Sequence, residues 1–264
     1  MITIVPDGGL CNRMRSLAAA QLLSRRAEQP LRVLWYRTPE LNARFDAIFQ
    51  TAHLPFEVRE RWAMVGSARS IMRGYEQCMR WMGKVVLNGK QASPKTFDAD
   101  FIIDAARSRP VYIRSFAKFL AEPGMFRLFE PVEAIAQQVK QLPDLPTAIG
   151  VHIRRTDNVR AIEMSPLEAF VRLMQQEIQQ DAGARFFIAT DSPETYQTLQ
   201  GHFGDRVFEL KKDSLARDDP NAIAAAVADL YALGSCRKII GSYWSSFTDT
   251  AAELNGIERI VAKA

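Results

Sequence analysis

Two arginines, a histidine and an aspartate crowd into the six residues His152-Ile-Arg154-Arg155-Thr-Asp157. Guanidinium groups stay protonated near neutral pH and present planar forks of N–H donors, which suit a phosphate or diphosphate. Where such a diphosphate departs, negative charge gathers on it, and fixed donors lower the barrier. Losing one donor of this kind typically costs about 2.7–4 kcal/mol. In that chemistry Arg154 faces the charge, Asp157 orients its neighbours, and Glu163 is the candidate base for an attacking hydroxyl. The plainer role for such arginines is pairing with surface carboxylates.

These side chains need a rigid element behind them. Ile149, Val151 and Ile153 alternate with Gly150, His152 and Arg154, the period of a β-strand, and the strand spans 147–154. His152 and Arg154 then share a face at its carboxyl end, and Arg155 opens a loop. Ser165-Pro166-Leu167-Glu168 matches a capping box with proline at the first helical position. Further strands read at 185–190, 206–210, 237–241 and 258–262, with helices starting near Pro166, Pro193, Asn221 and Ser246. This alternation implies a doubly wound, mostly parallel sheet, which binds ligands beyond its carboxyl edge. Asp191, Asp229 and the pair Ser245-Ser246 fall at that edge too. The serines could hold phosphate through hydroxyl and backbone N–H groups, or one could simply cap a helix.

The first half begins with an apolar strand at 2–5, a break at Pro6-Asp7-Gly8-Gly9, and a helix from Asn12 to Ala27. Gly9 and Asn12 thus sit where a glycine turn meets free N–H groups, a cradle for an anion or substrate. Leu31–Trp35 reads as a strand, Thr38-Pro39-Glu40 as the cap of a short helix reaching Phe49, and Val111–Arg114 as a strand. Pro131 to Gln141 reads as a helix, and Pro143-Asp144-Leu145-Pro146 as a linker that divides domains 1–145 and 146–264.

From Arg59 to Lys95 eight basic residues face only Glu60 and Glu76, with Trp62, Met64, Met72, Tyr75, Met79, Trp81 and Met82 interleaved. That pattern suits an irregular helix with a solvated basic face, and also a surface for an anionic acceptor or membrane headgroups. Asp98-Ala99-Asp100 has the spacing of a divalent-metal pair but precedes Phe101-Ile102-Ile103 instead of ending a strand, and it reads as a loop.

The bulk properties narrow the classes. The chain has 264 residues, 47% hydrophobic, with net charge +4 and pI near 9.0. That is too weakly basic to indicate nucleic acid, though it suits an anionic ligand. Cys11, Cys78 and Cys236 are far apart and never in Cys-x-x-Cys, which argues for a reducing compartment and against a zinc site. There is no Gly-x-Gly-x-x-Gly and no Gly-x-x-x-x-Gly-Lys, so neither dinucleotide binding nor a P-loop is indicated. With no signal peptide or membrane-spanning run, a cytoplasmic protein is expected.

Gly150-Val-His152-Ile-Arg154-Arg155-Thr-Asp157 resembles the His-x-Arg-Arg-x-Asp motif of α-1,2-, α-1,6- and protein O-fucosyltransferases. Gly8-Gly9-Leu10-Cys11-Asn12-Arg13 is similar to their N-terminal glycine turn, and Tyr112-Ile-Arg-Ser-Phe116 to their interdomain run. Phe187-Ile-Ala-Thr-Asp191, and the Asp229 helix leading to Trp244-Ser245-Ser246, resemble their second and third motifs. The resemblance implies a GT-B fold of two Rossmann-like domains facing a cleft, the C-terminal one holding GDP-fucose. It implies that Arg154 contacts the β-phosphate, Arg155 supports it, and His152 lies against the nucleotide. Asp229 would accept from guanine, and Ser245 and Ser246 would help hold phosphate. Phe247 and Asn158 depart from the glutamine and lysine found in the core α-1,6 enzymes.

The expected activity is inverting, metal-independent transfer of fucose to a glycan hydroxyl, with GDP-fucose as donor substrate and no further cofactor. The expected partners are that donor and a glycan acceptor, not nucleic acid, with peripheral membrane contact through 59–95. The alternatives are a non-catalytic binder of nucleotide sugar or phosphate, a metal-dependent transferase using Asp98 and Asp100, and an interaction protein acting through 59–95.

Overall fold

The computed structural model describes residues 1–62, 68–88, 97–156, 159–212, 214 and 219–264, with side chains at all of these but 62, 68–72 and 75. The chain divides into two compact units, Met1–Val132 with Ala216–Ile223, and Glu133–Leu215 with Ala224–Ala264. The helix at 133–140 and the 143–146 segment therefore both belong to the second unit.

The first unit is a five-stranded parallel sheet of β1 (Ile2–Pro6), β2 (Leu31–Arg37), β3 (Glu57–Trp62), β4 (Val85–Leu87) and β5 (Val111–Ser115), in the order β3-β2-β1-β5-β4. Its crossover helices are α1 (Leu10–Ala27), α2 (Ala68–Trp81) and α3 (Ala99–Ser108). α1 packs on β1, and Met79 of α2 packs with Val5, Leu34, Val86 and Tyr112.

Three expectations for this half are corrected. No helix forms over 38–49. Thr38 and Leu41 instead pair backbone to backbone at 2.9 and 3.1 Å, and Thr38 Oγ1 accepts from Arg13 Nη2 at 2.7 Å. The apolar side chains there are anchors. Phe45 meets Trp35 edge-on at 5.2 Å, and Phe49 meets Phe129 at 5.1 Å. The basic stretch is not one irregular helix but contains β3, α2 and β4, while 63–67 and 89–96 lie outside the described residues. Asp98-Ala99-Asp100 is not all loop either: Ala99 and Asp100 open α3, and Asp98 caps it by accepting from the Phe101 N–H at 3.0 Å.

The second unit is also a five-stranded parallel sheet, of β6 (Ile149–Ile153), β7 (Phe186–Thr190), β8 (Val207–Phe208), β9 (Lys238–Ser242) and β10 (Glu258–Ala262), in the order β10-β9-β6-β7-β8. Its helices are α4 (Glu133–Lys140), α5 (Val159–Met164), α6 (Leu167–Gln180), α7 (Pro193–Phe203), α8 (Pro220–Gly234) and α9 (Ser246–Asn255). Ile149, Val151 and Ile153 share a core cluster with Phe170 and Met174 of α6. On the other face of β6, a β-carbon at Gly150 would come within 2.9 Å of Leu233 Cδ2, so the glycine leaves room for the Leu233 side chain of α8. Helices thus cover both faces, and all five residues of β6 are buried.

The 165–168 capping box does not form. Ser165 is fully buried; its hydroxyl donates to Ala262 O at 2.5 Å and accepts from the Tyr243 N–H at 2.8 Å, so it ties the start of α6 to β9 and β10. α6 begins at Leu167, with Pro166 in the N-cap position and no side-chain cap. Among the described residues no helix is long and apolar enough to cross a membrane.

Candidate functional site

In the second sheet the chain order reverses at β6, which lies between β7 and β9. That is the topological switch point where open α/β sheets form a crevice. β6 ends there on His152 and Ile153, and β9 delivers Ser242 alongside. The Arg154 N–H donates to Ser242 Oγ at 3.0 Å, and Ser242 Oγ donates to His152 O at 3.3 Å, so one serine pins the departure of the motif from the sheet.

His152 is buried. Its Nδ1 shares a hydrogen bond with Thr248 Oγ1 at 2.8 Å and lies 3.4 Å from Ser245 Oγ, and its ring stacks on Phe247 at 4.8 Å. Burial above all, helped by the charges of Arg154 and Lys212, pushes its pKa down to about 4, so the ring is neutral at physiological pH. Helix α9 starts directly against it. Ser245, with no exposure, is the N-cap and accepts from the Thr248 N–H at 3.4 Å; Ser246 is the first helical residue and is partly exposed. The close seat of α9 depends on Gly241, where a β-carbon would fall 2.1 Å from Thr248 Cγ2.

Asp191, just past β7, is spent on the motif loop. Its Oδ1 accepts from the Arg155 N–H at 2.6 Å, and its Oδ2 accepts from the Thr156 N–H and hydroxyl at 3.3 and 2.7 Å. The α7 cap is Ser192, which accepts from the Thr195 N–H at 3.2 Å. Asp191 therefore fixes the backbone that carries the arginines. The Arg155 guanidinium lies over the Phe170 ring at 5.8 Å; burial lowers its pKa, and its Nη2 has no hydrogen-bond partner among the described residues. Asp157 and Asn158 lie outside the described residues.

Asp229 of α8 is buried and bound to Lys212, whose Nζ lies 2.6 Å from Oδ2. Its Oδ1 has no partner among the described residues, and burial raises its pKa to about 6. Glu163 stands exposed in the last turn of α5, not on a loop as expected, because 159–164 is helical. Gly9 and Asn12 belong to the first unit. Gly9 begins α1 in extended conformation, with open space where a side chain would stand, and Asn12 Oδ1 accepts from Arg15 Nη2 at 2.6 Å.

No family model matches the chain, and no curated protein matches it in sequence. Solved structures do match. A NodZ α-1,6-fucosyltransferase soaked with GDP-fucose is 18% identical, with 96% of this chain and 92% of that chain covered and a TM-score of 0.61. The FUT1 of Arabidopsis thaliana in complex with GDP is 12% identical over 98% of this chain and 70% of that chain, with a TM-score of 0.65. POFUT1 in complex with GDP-fucose is 11% identical over 99% and 97%, with a TM-score of 0.61. What is shared is the fold.

Within that fold, two residues, Lys212 and Thr248, escaped the sequence pattern. Lys212 has no periodic neighbours to flag it. Thr248 could have been found, because it is the third residue after the cap, where a capping hydroxyl reaches. Trp244 is two-thirds exposed at φ +52°, a left-handed conformation rare for a bulky residue, with Arg160 stacked over it at 5.0 Å.

Proposed function

We propose that this chain is a glycosyltransferase that moves fucose from GDP-fucose to a glycan hydroxyl, with inversion and without a metal. The observation that carries this is the placement of His152, Arg154 and Arg155 at the switch point beside the α9 N-terminus. It occurs in a fold whose solved neighbours hold GDP and GDP-fucose. The finer class that goes with this reading is GT-B.

Each residue then has a role. Arg154 offsets the charge that builds on the β-phosphate as the sugar leaves, and Arg155, braced by Asp191, supports it. Neutral His152 lies against the nucleotide, and the Ser246 end of α9 offers backbone N–H groups to phosphate while Ser245 caps. The Oδ1 of Asp229, which has no partner among the described residues, accepts from guanine. Asp157 orients the arginines, and Glu163, exposed on α5, takes the acceptor proton. Gly9 and Asn12 serve as a substrate cradle in the first unit. The engagement of Asp98 in capping α3 counts against a metal held by Asp98 and Asp100. Exposed Trp81 and Met82, at the end of basic α2, support peripheral membrane contact.

A thermal-shift panel of GDP, UDP and ADP with their sugar conjugates, with and without Mg²⁺, tests the donor, since a ligand of the native state raises the apparent Tm. GDP and GDP-fucose should stabilise most, with no need for Mg²⁺, and GDP-fucose should be consumed. Stabilisation without consumption would leave a non-catalytic binder. Preference for UDP or ADP would sink the assignment.

A further inference from the structure

The first sheet has its own switch point, at β1, which lies between β2 and β5. A cavity of about 730 Å³ opens there, a volume typical of small-molecule sites. Its floor is an ion-paired cluster in which one guanidinium stands between two carboxylates, leaving one negative charge in excess. Arg114 of β5 reaches Glu76 Oε1 at 2.5 Å through Nε and Asp7 Oδ2 at 3.2 Å through Nη1. Asp7 Oδ1 in turn accepts from the Gly8 N–H at 2.9 Å, which locks the carboxylate to the glycine turn.

The wall is different in kind. Arg73, Gln77 and Arg80 follow one another at i, i+4 and i+7 on α2, so they share one face and all line the cavity. Neither Arg73 nor Arg80 makes an ion pair among the described residues. Seven residues of helix set them about 10 Å apart along its axis. With three guanidiniums against two carboxylates the lining is net positive, and a ligand that meets both wall arginines is anionic. Phe116, half exposed, adds an aromatic face, and Gln77 an amide for hydroxyl groups.

We propose that this cavity is the acceptor subsite and that it takes an oligosaccharide bearing carboxylate or phosphate groups. The assignment as acceptor rests on the glycosyltransferase reading; the preference for an anionic saccharide rests on the wall of the cavity alone. A concave site with amide and aromatic groups suits a chain of sugar rings better than a flat lipid surface.

Calorimetric titration of the full chain tests this with tetragalacturonate, its carboxyl-reduced neutral counterpart, a phosphorylated maltotetraose, and phosphatidylglycerol vesicles. The expected result is binding of a charged oligosaccharide and none of the neutral one, with at least tenfold weaker binding in the Arg73→Gln/Arg80→Gln variant. An Arg107→Gln control, outside the cavity, should bind as wild type does. Whichever charged saccharide binds more tightly tells carboxylate from phosphate. Equal binding of neutral and charged saccharides, binding unaffected by the double variant, or binding of vesicles alone would overturn the proposal. No donor is present, so absence of a GDP shift in the wild-type panel would sink the transferase reading separately.

Discussion

The two units place polar chemistry at the same topological point and stock it in opposite ways. Where the second sheet reverses, at β6, the groups packed around His152 are neutral: an uncharged imidazole, the hydroxyls of Ser242, Ser245 and Thr248, and the start of a helix seated by Gly241. The two motif arginines come just after, on a loop whose backbone Asp191 holds. Where the first sheet reverses, at β1, the groups are charged, with half-buried Arg114 between half-buried Asp7 and buried Glu76, and two arginines with no ion pair among the described residues stand on a helix wall. A dry, preorganised edge is what charge developing on a departing diphosphate needs, because fixed dipoles require no rearrangement as it forms. An open edge with spare cations selects a ligand by its charge and costs less to leave empty, since water still reaches it.

The largest effect expected on the second edge follows from the buried ion pair of Lys212 and Asp229. Lys212→Met leaves the buried Asp229 carboxyl without its cation, which should cost about 3–5 kcal/mol of stability. A urea melt unchanged by that variant would mean that the pair is no support of the edge. Arg154→Ala should keep the fold and lose about 2.7–4 kcal/mol of barrier lowering, a drop in kcat of two to three orders of magnitude. Ordinary turnover of GDP-fucose by that variant would take Arg154 out of the mechanism and erase the contrast between the edges.

Glycines sharpen the comparison at a smaller scale. Gly241→Ala forces α9 off its seat and should cost about 1–3 kcal/mol, with loss of GDP binding. Gly9→Ala meets open space at φ −73° and should leave the Tm within a few degrees of wild type. Equal shifts in differential scanning calorimetry would show that the two turns are built alike.

The smallest effect is a slope. The buried His152 ring refuses a proton down to about pH 4, whereas an unfolded histidine takes one near 6.5, so its contribution to stability rises with pH across that window. The Asp229 carboxyl keeps its proton up to about pH 6, whereas the unfolded one releases it near 3.8, so its contribution falls over the same range. The two nearly offset in the wild type. In Asp229→Asn the Tm should climb more steeply between pH 4 and 6 than in wild type. Parallel profiles would place the carboxyl in a wetter setting than its burial implies.

Much of the second unit was legible because its strands are short apolar runs separated by helices that open on proline or serine, signals local to the chain. The helices starting at Pro193 and Ser246, and the strands at 149–153 and 186–190, lie where the pattern put them. The first unit was harder. Over 38–49 a good cap and apolar spacing suggested a helix, yet a long-range clamp from Arg13 and burial of Phe45 and Phe49 held the segment extended and turned. Ser165 misled in the same way: its hydroxyl had a better offer from β10 and from Tyr243 than from its own helix.

Sequence alone determined that the chain alternates strand and helix, and that a His-x-Arg-Arg run leaves a strand at a sheet edge, because both follow from periodicity over a few residues. Tertiary structure decided which partners those residues keep. Asp191 serves the loop backbone, Asp229 takes Lys212, and Arg114 takes Asp7 and Glu76, pairs separated by between 17 and 107 positions. Contacts at such separations depend on which strands become neighbours in the sheet, and no local pattern encodes that.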